Sequence, residues 1–221
     1  MNRPIVQSLQ GITLVGGGPF AGRDLSRCLA RAPVPVAADS GADRLLGHGV
    51  MPEAVIGDFD SISDAARARI PLARQHVIAE QETTDFDKAL RMVQAPFILA
   101  LGFAGARLDH GLAAFNTLIR SRNQACILVG PKDICFAAPR RIVLELRAGD
   151  ALSLFPLGPV TWRSKGLEWP VEGLDFAPDG RIGTSNRVMS GLVELEFDTP
   201  GMLVILPRRA LDATIRSLCP G

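Results

Sequence analysis

From residue 11 to residue 130, short apolar runs of strand length alternate with helix-patterned segments, and the links between them are brief. The strand candidates are 11–15, 35–38, 54–56, 76–79, 97–101 and 126–129. Helical pattern appears at 23–30, 65–70 and 111–120, from Asp85 onward, and briefly from Arg44. Continuous apolar strands suit a sheet buried on both faces, and a strand–helix alternation lets parallel strands be joined by crossover helices. The pattern therefore predicts an α/β fold that begins as a parallel-sheet α/β/α sandwich.

The pattern changes near Lys132 and Asp133. Beyond them, strand-like runs at 142–146, 151–155, 160–163, 192–197 and 202–206 are separated by turn signals such as Gly149-Asp150, Asp179-Gly180 and Pro200-Gly201. No helix of any length is expected there. The chain thus divides into an α/β domain, 1–132, and a small all-β sandwich domain, 133–221.

In an open parallel sheet, ligands bind beyond the carboxyl ends of the strands. Asp39, Asp58, Asp60 and Asp109 all fall at such strand ends or in the loops after them. From Glu53 to Asp87 there are eight acidic residues and three basic ones. Carboxylates this dense repel one another unless they share a cation. Mg²⁺ is a hard, oxygen-seeking ion that commonly arrives with phosphate. Asp58 and Asp60, two apart, either face one point from extended chain, with Phe59 turned away, or form an Asp-rich turn with solvated side chains that caps the next helix. Thr84 reads as an N-cap supported by Asp87 three residues on. On that helix Asp85 and Asp87 point to nearly opposite faces, so Asp85 is the functional candidate and Asp87 the structural one. Lys88 shares the face of Asp85, placed either to hold a phosphate or to form a surface ion pair.

Other features are weaker. Gly16-Gly17-Gly18 follows the first strand and precedes a helix, a geometry that brings backbone N–H groups to a phosphate, but it is neither a G-x-G-x-x-G nor a Walker A motif. Thr184-Ser185-Asn186 reads as a polar turn or as a set of hydrogen-bonding groups for a ring, the turn being preferred. Trp162 and Trp169 are the only tryptophans and are candidates for stacking.

A net charge of +1 gives no electrostatic case for nucleic acid or an acidic membrane. With 21 Arg against 3 Lys, a single arginine says little about phosphate. The four cysteines form no C-x-x-C pair, and no signal-peptide pattern opens the chain. A soluble, cytoplasmic protein is expected.

Several motifs, in order, resemble the thiamine pyrophosphokinase family. Ala38-Asp39-Ser40-Gly41-Ala42 is similar to the family's Ala-Asp-Gly-Gly-Ala, and 57–61 to its Gly-Asp-Phe-Asp-Ser. Thr84-Asp85-Phe86 with Lys88 is similar to its Thr-Asp-Phe-x-Lys, and Arg107-Leu108-Asp109-His110 to its Arg-Phe-Asp-His/Gln. Further on, Gly166-Leu167-Glu168-Trp169 and Thr184-Ser185-Asn186 match its thiamine-side motifs. The departures are Ser40 for a glycine and Leu108 for an aromatic residue.

The resemblance implies a homodimer that uses ATP and Mg²⁺ to convert thiamine to thiamine diphosphate, releasing AMP, with thiamine bound where the subunits meet. It implies Asp58, Asp60 and Asp85 as Mg²⁺ ligands, with Asp39 close by. Lys88, Arg107 and Asp109 would lie near the phosphates or nucleotide, and Asp39 or Asp109 would accept the hydroxyl proton. Trp169, Ser185 and Asn186 would meet thiamine. A diphosphokinase for another heterocyclic alcohol, or a non-catalytic thiamine or nucleotide sensor, would use the same scaffold. Asp58→Asn is expected to cut kcat by orders of magnitude with little loss of stability.

Overall fold

The computed structural model describes residues 3–105 and 107–219, which form two compact units. The first comprises the chain to Thr117 together with Leu128–Pro131, and the second comprises Leu118–Ile127 and the chain from Lys132 onward.

In the first unit the elements run β1 (Val6–Gln7), β2 (Ile12–Val15), α1 (Gly22–Leu29), β3 (Val34–Ala38), α2 (Gly41–Gly47), β4 (Ala54–Gly57), α3 (Asp64–Arg69), β5 (Gln75–Val77), α4 (Asp85–Arg91), β6 (Val93–Gln94), β7 (Ile98–Leu101) and α5 (Leu108–Arg120), followed by β8 (Cys126–Val129). The sheet order is β8-β7-β2-β3-β4-β5, and β7, β2, β3, β4 and β5 pair in parallel. Every residue of β2, β4, β7 and β8 is buried, which is why these runs are apolar without alternation. The α/β expectation holds.

Register places the site. Val15 pairs with both Ala37 and Leu101, and Ala38 pairs with Ile56. The turns that begin at Gly16, Asp39, Gly57 and Gly102 therefore leave neighbouring strands at one edge. Two of these turns interlock: the Gly18 N–H donates to the Gly102 carbonyl at 2.9 Å, and a Cβ on Gly18 would lie 2.5 Å from that oxygen. Only glycine permits that approach.

Helix α4 starts as expected. The Thr84 hydroxyl accepts the Asp87 N–H at 3.3 Å, and the buried Asp87 carboxylate pairs with Arg91 at 2.8 Å. Thr84→Ala should cost about 1 kcal/mol, lowering the melting temperature by roughly 2–4 °C. An unchanged melting curve would show that the cap contributes nothing. Helix α5 begins three residues earlier than its sequence pattern suggested, so Asp109 and His110 occupy its first turn rather than the preceding loop.

The second unit holds β9 (Asp133–Ala137), β10 (Arg141–Glu145), β11 (Ala151–Pro156), β12 (Val160–Lys165), β13 (Glu172–Phe176), β14 (Gly183–Arg187), β15 (Leu192–Phe197), β16 (Met202–Pro207) and α6 (Leu211–Leu218). Its strands lie in two antiparallel arrays, β14-β11-β16-β9 and β10-β15-β12-β13. Burial alternates along β10, β11 and β15, as it should in a sandwich. Trp162 is buried there, its ring against Phe176 and Phe197.

Two expectations for this unit fail. Helix α6 exists, with Leu211, Ala213 and Thr214 buried. Residues 184–186 belong to a strand, β14, not a turn; Thr184 and Ser185 lie exposed at the sheet edge whereas Asn186 is buried, and Ser185 has a positive φ of 62° where the pairing with β11 slips.

Candidate active site

At the edge where β3 and β4 end, three carboxylates converge. One oxygen each from Asp39, Asp58 and Asp60 lies within 4.8 Å of the others. Asp39 is 1% exposed and sits at a positive φ of 43°. Its Oδ2 accepts two hydrogen bonds from Ser61, from the hydroxyl at 2.5 Å and the backbone N–H at 3.2 Å. Its Oδ1 is buried with no hydrogen-bond partner among the described residues. Burial pushes the Asp39 carboxyl up to about 6 against the opposing pull of the Ser61 hydroxyl, and the nearby Asp85 and Asp60 add to the rise. A buried carboxylate oxygen without a donor is costly, and a cation shared with Asp58 and Asp60 would remove that cost. The oxygen-only donor set fits Mg²⁺.

Asp85 takes part differently. Lys88 is 2% exposed, and its Nζ lies 2.8 Å from Asp58 Oδ2 and 3.4 Å from Asp85 Oδ1. It is a buried ion pair rather than a surface one. Lys88 holds the Asp58 carboxyl below its ordinary value, whereas burial raises that of Asp85 despite the same lysine. Burial opposes the charge on Lys88, but the two carboxylates more than offset it, and its pKa rises. The acidic rim therefore has two parts that share Asp58: a cluster of Asp39, Asp58 and Asp60, and a partly neutralised Asp58–Lys88–Asp85 bridge.

A cleft of about 450 Å³ opens over this rim, lined on its other sides by Gly17, Ser40, Phe103, Arg107 and His110. That volume is within the range usual for small-ligand sites. Arg44, which the sequence pattern left as an ordinary helix residue, fastens the glycine turn. Its Nε and one terminal nitrogen donate to the Gly18 carbonyl at 3.2 and 3.0 Å, and it lies over the Phe20 ring. Arg107 and Asp109 pair with each other at 2.6 Å, both well exposed. The hydrogen bond from Arg107 holds Asp109 down to about 2. Asp109 thus stands apart from the acidic cluster.

In the second unit, Asn186 is buried and fully engaged. Its Oδ1 accepts the N–H groups of Trp169 at 3.2 Å and Arg187 at 2.8 Å, and its Nδ2 donates to the Trp169 carbonyl at 2.7 Å. Both backbone groups of Trp169 are thereby fixed while its side chain stays half-exposed. The Ser185 N–H donates to Ser153 Oγ at 2.9 Å, and the residue is exposed. Glu168 pairs with Arg187 at 3.3 Å.

Comparison with known proteins identifies the family and the fold. Residues 25–129 match the family description "Thiamin pyrophosphokinase, catalytic domain", and residues 140–202 match "Thiamin pyrophosphokinase, vitamin B1 binding domain". The chain is 25% identical over 203 residues to thiamine pyrophosphokinase 1 of Oryza sativa subsp. japonica, covering 76% of this chain and 77% of that one. It is 34% identical over 119 residues to the Bacillus subtilis thiamine pyrophosphokinase, covering 51% and 56% respectively. Among solved structures, thiamin pyrophosphokinase from Candida albicans aligns over 93% of both chains with a TM-score of 0.76 at 16% identity, a likeness of fold.

Proposed function

The chain belongs to the thiamin pyrophosphokinase family, and from that premise we propose how its residues divide the work. The reaction moves diphosphate from ATP to the thiamine hydroxyl, giving thiamine diphosphate and AMP. The observation that carries the assignment of residues is the convergence of Asp39, Asp58 and Asp60 beneath a cleft of about 450 Å³.

Such a transfer asks little covalent chemistry of the protein; positioning and charge compensation supply most of the rate. Asp39, Asp58 and Asp60 would hold Mg²⁺, and Asp85 deepens the negative field around them. Bound there, Mg²⁺ supplies positive charge to the migrating diphosphate. Lys88 keeps Asp58 and Asp85 in place by neutralising part of the rim. Arg107, at the cleft wall, orients phosphate oxygens, and its partner Asp109 holds the guanidinium in position. A carboxylate kept near 2 is a poor proton acceptor, so Asp109 serves as an anchor rather than a base.

The half-exposed Trp169 indole offers an apolar face to the thiamine rings, Ser185 a hydroxyl, and Asn186 fixes the backbone behind the indole. We place thiamine where two copies of the chain meet; exposed Trp169, Ile182 and Met189 support an apolar contact there. The cysteines, all free thiols, suit the reducing cytoplasm. No helix among the described residues is long and apolar enough to cross a membrane.

ATP labelled on its γ-phosphorus should deliver label to thiamine diphosphate and none to inorganic phosphate. Labelled thiamine monophosphate accompanied by ADP would contradict diphosphate transfer. Trp169→Ala should raise KM for thiamine roughly tenfold, leaving KM for ATP unchanged in steady-state assays. An equal effect on both substrates would remove Trp169 from the thiamine side.

A further inference from the structure

The loop that carries Asp58 and Asp60 is tied to the turn that carries Asp39 by two serines in the same way. Ser61 places its hydroxyl and its N–H on one oxygen of Asp39. Two residues on, Ser63 donates its hydroxyl to Asp43 Oδ1 and its N–H to Asp43 Oδ2 at 3.1 Å, while its Oγ accepts the Ala66 N–H and caps α3. A Ser-x-Ser pair on one loop thus grips an Asp-x-x-x-Asp pair that runs from the Asp39 turn into the first turn of α2.

The two grips differ in what they leave over. Asp43 uses both carboxylate oxygens on Ser63. Asp39 has both donors on Oδ2, so Oδ1 is left bare and buried, while the Asp39 carboxylate contributes an oxygen to the cluster formed with Asp58 and Asp60. The backbone of Asp39 cannot turn to relieve this. Its N–H is bonded to the Ile56 carbonyl at 3.0 Å, and Gly57 packs so closely that a Cβ there would lie 2.9 Å from the Asp39 Cβ.

We propose that Ser61 is a positioning residue: by hydrogen-bonding Asp39 Oδ2 twice, it fixes the orientation in which that carboxylate meets the divalent cation shared with Asp58 and Asp60. The proposal rests on the cation reading given above. Without the Ser61 hydroxyl, the plane of the carboxylate can turn about its Cβ–Cγ bond away from this orientation, so the three-oxygen geometry is no longer preformed. The Ser63–Asp43 grip is the structural one; it holds the loop and the α3 N-terminus but does not touch the cation ligands.

The test is Mn²⁺ binding to the whole protein, followed by electron paramagnetic resonance without nucleotide or thiamine. Ser61→Ala should weaken Mn²⁺ about tenfold, and Ser61→Thr, which keeps a hydroxyl at the same place, should restore affinity to within about twofold of the parent. Ser63→Ala should lower the melting temperature through loss of the α3 cap and leave Mn²⁺ affinity within about twofold. Parent-like Mn²⁺ binding by Ser61→Ala would overturn the proposal, and so would equal weakening by Ser63→Ala, which would mean general loosening of the loop. If the parent itself binds no Mn²⁺ while Asp39, Asp58 and Asp60 are intact, the cation reading fails and the proposal fails with it.

Discussion

Asp58→Asn should lower kcat by on the order of 10²–10³-fold and also destabilise the fold by about 2 kcal/mol. The two effects have separate origins. Turnover falls because Asp58 is a member of the three-carboxylate cluster proposed to hold Mg²⁺. Stability falls because Lys88, at 2% exposure, loses its nearer charged partner and keeps only Asp85 at 3.4 Å. Removing one member of a buried pair is costly, whereas replacing both with apolar or neutral groups often is not. The double variant Asp58→Asn/Lys88→Met should therefore regain most of the lost stability without regaining turnover. Denaturant unfolding and steady-state rates together check this. Near-normal turnover in Asp58→Asn would remove Asp58 from the site, and undiminished stability would show that the buried lysine does not depend on it. Sequence pattern alone suggested little loss of stability, because nothing local marks Lys88 as buried.

Gly41→Ala should be more damaging to the fold than any other single change to the cleft's turns. Gly41 begins α2 directly after the Asp39 turn, and a Cβ there would be driven into the Val15 carbonyl oxygen and toward Gly16. Both obstacles are backbone, so neither can rotate away. Either α2 must move off β2 or the β2 terminus must bend, and both movements disturb Asp39 and the glycine turn together. Overpacking of this kind costs about 3 kcal/mol or more, so the variant should melt about 6–12 °C lower and lose most of its activity. A variant that melts with the parent and turns over normally would mean that the turn relaxes more easily than its packing implies.

These two cases mark what can be read from residue order. The apolar runs of β2, β4, β7 and β8 are legible because strands buried on both faces leave little room for polar residues; Thr13 is accommodated by donating its hydroxyl to the Ala32 carbonyl. Once those strands are placed, Asp39, Asp58 and Asp60 follow, since each lies just past a strand end. Partnerships across distant segments are not legible. The Lys88–Asp58 pair spans thirty positions, and the Asn186 side chain is consumed by the backbone of Trp169, seventeen positions away. The Ser61 grip on Asp39 spans twenty-two.

Elements with little burial contrast were also missed. Four of five β13 residues are exposed, so the strand shows no alternation. The β1–β6 pair is two residues long and joins Val6 to Val93. Helix α6 is eight residues long and follows a strand closely, with Leu211 and Thr214 as its buried spacing. Arg44 could have been suspected from its place one turn into the helix after the Asp39 motif. Its contact with the Gly18 carbonyl needs the parallel register of β2 and β3, which only the folded chain supplies.

The central claim is that this chain uses its acidic rim to move an intact diphosphate from ATP to thiamine. The most direct measurement is quantification of AMP and thiamine diphosphate formed by the purified protein with ATP, Mg²⁺ and thiamine, alongside an EDTA control. Equal amounts of the two products, both abolished by EDTA, are the predicted result. Thiamine binding without thiamine diphosphate, or turnover that EDTA leaves untouched, would contradict it.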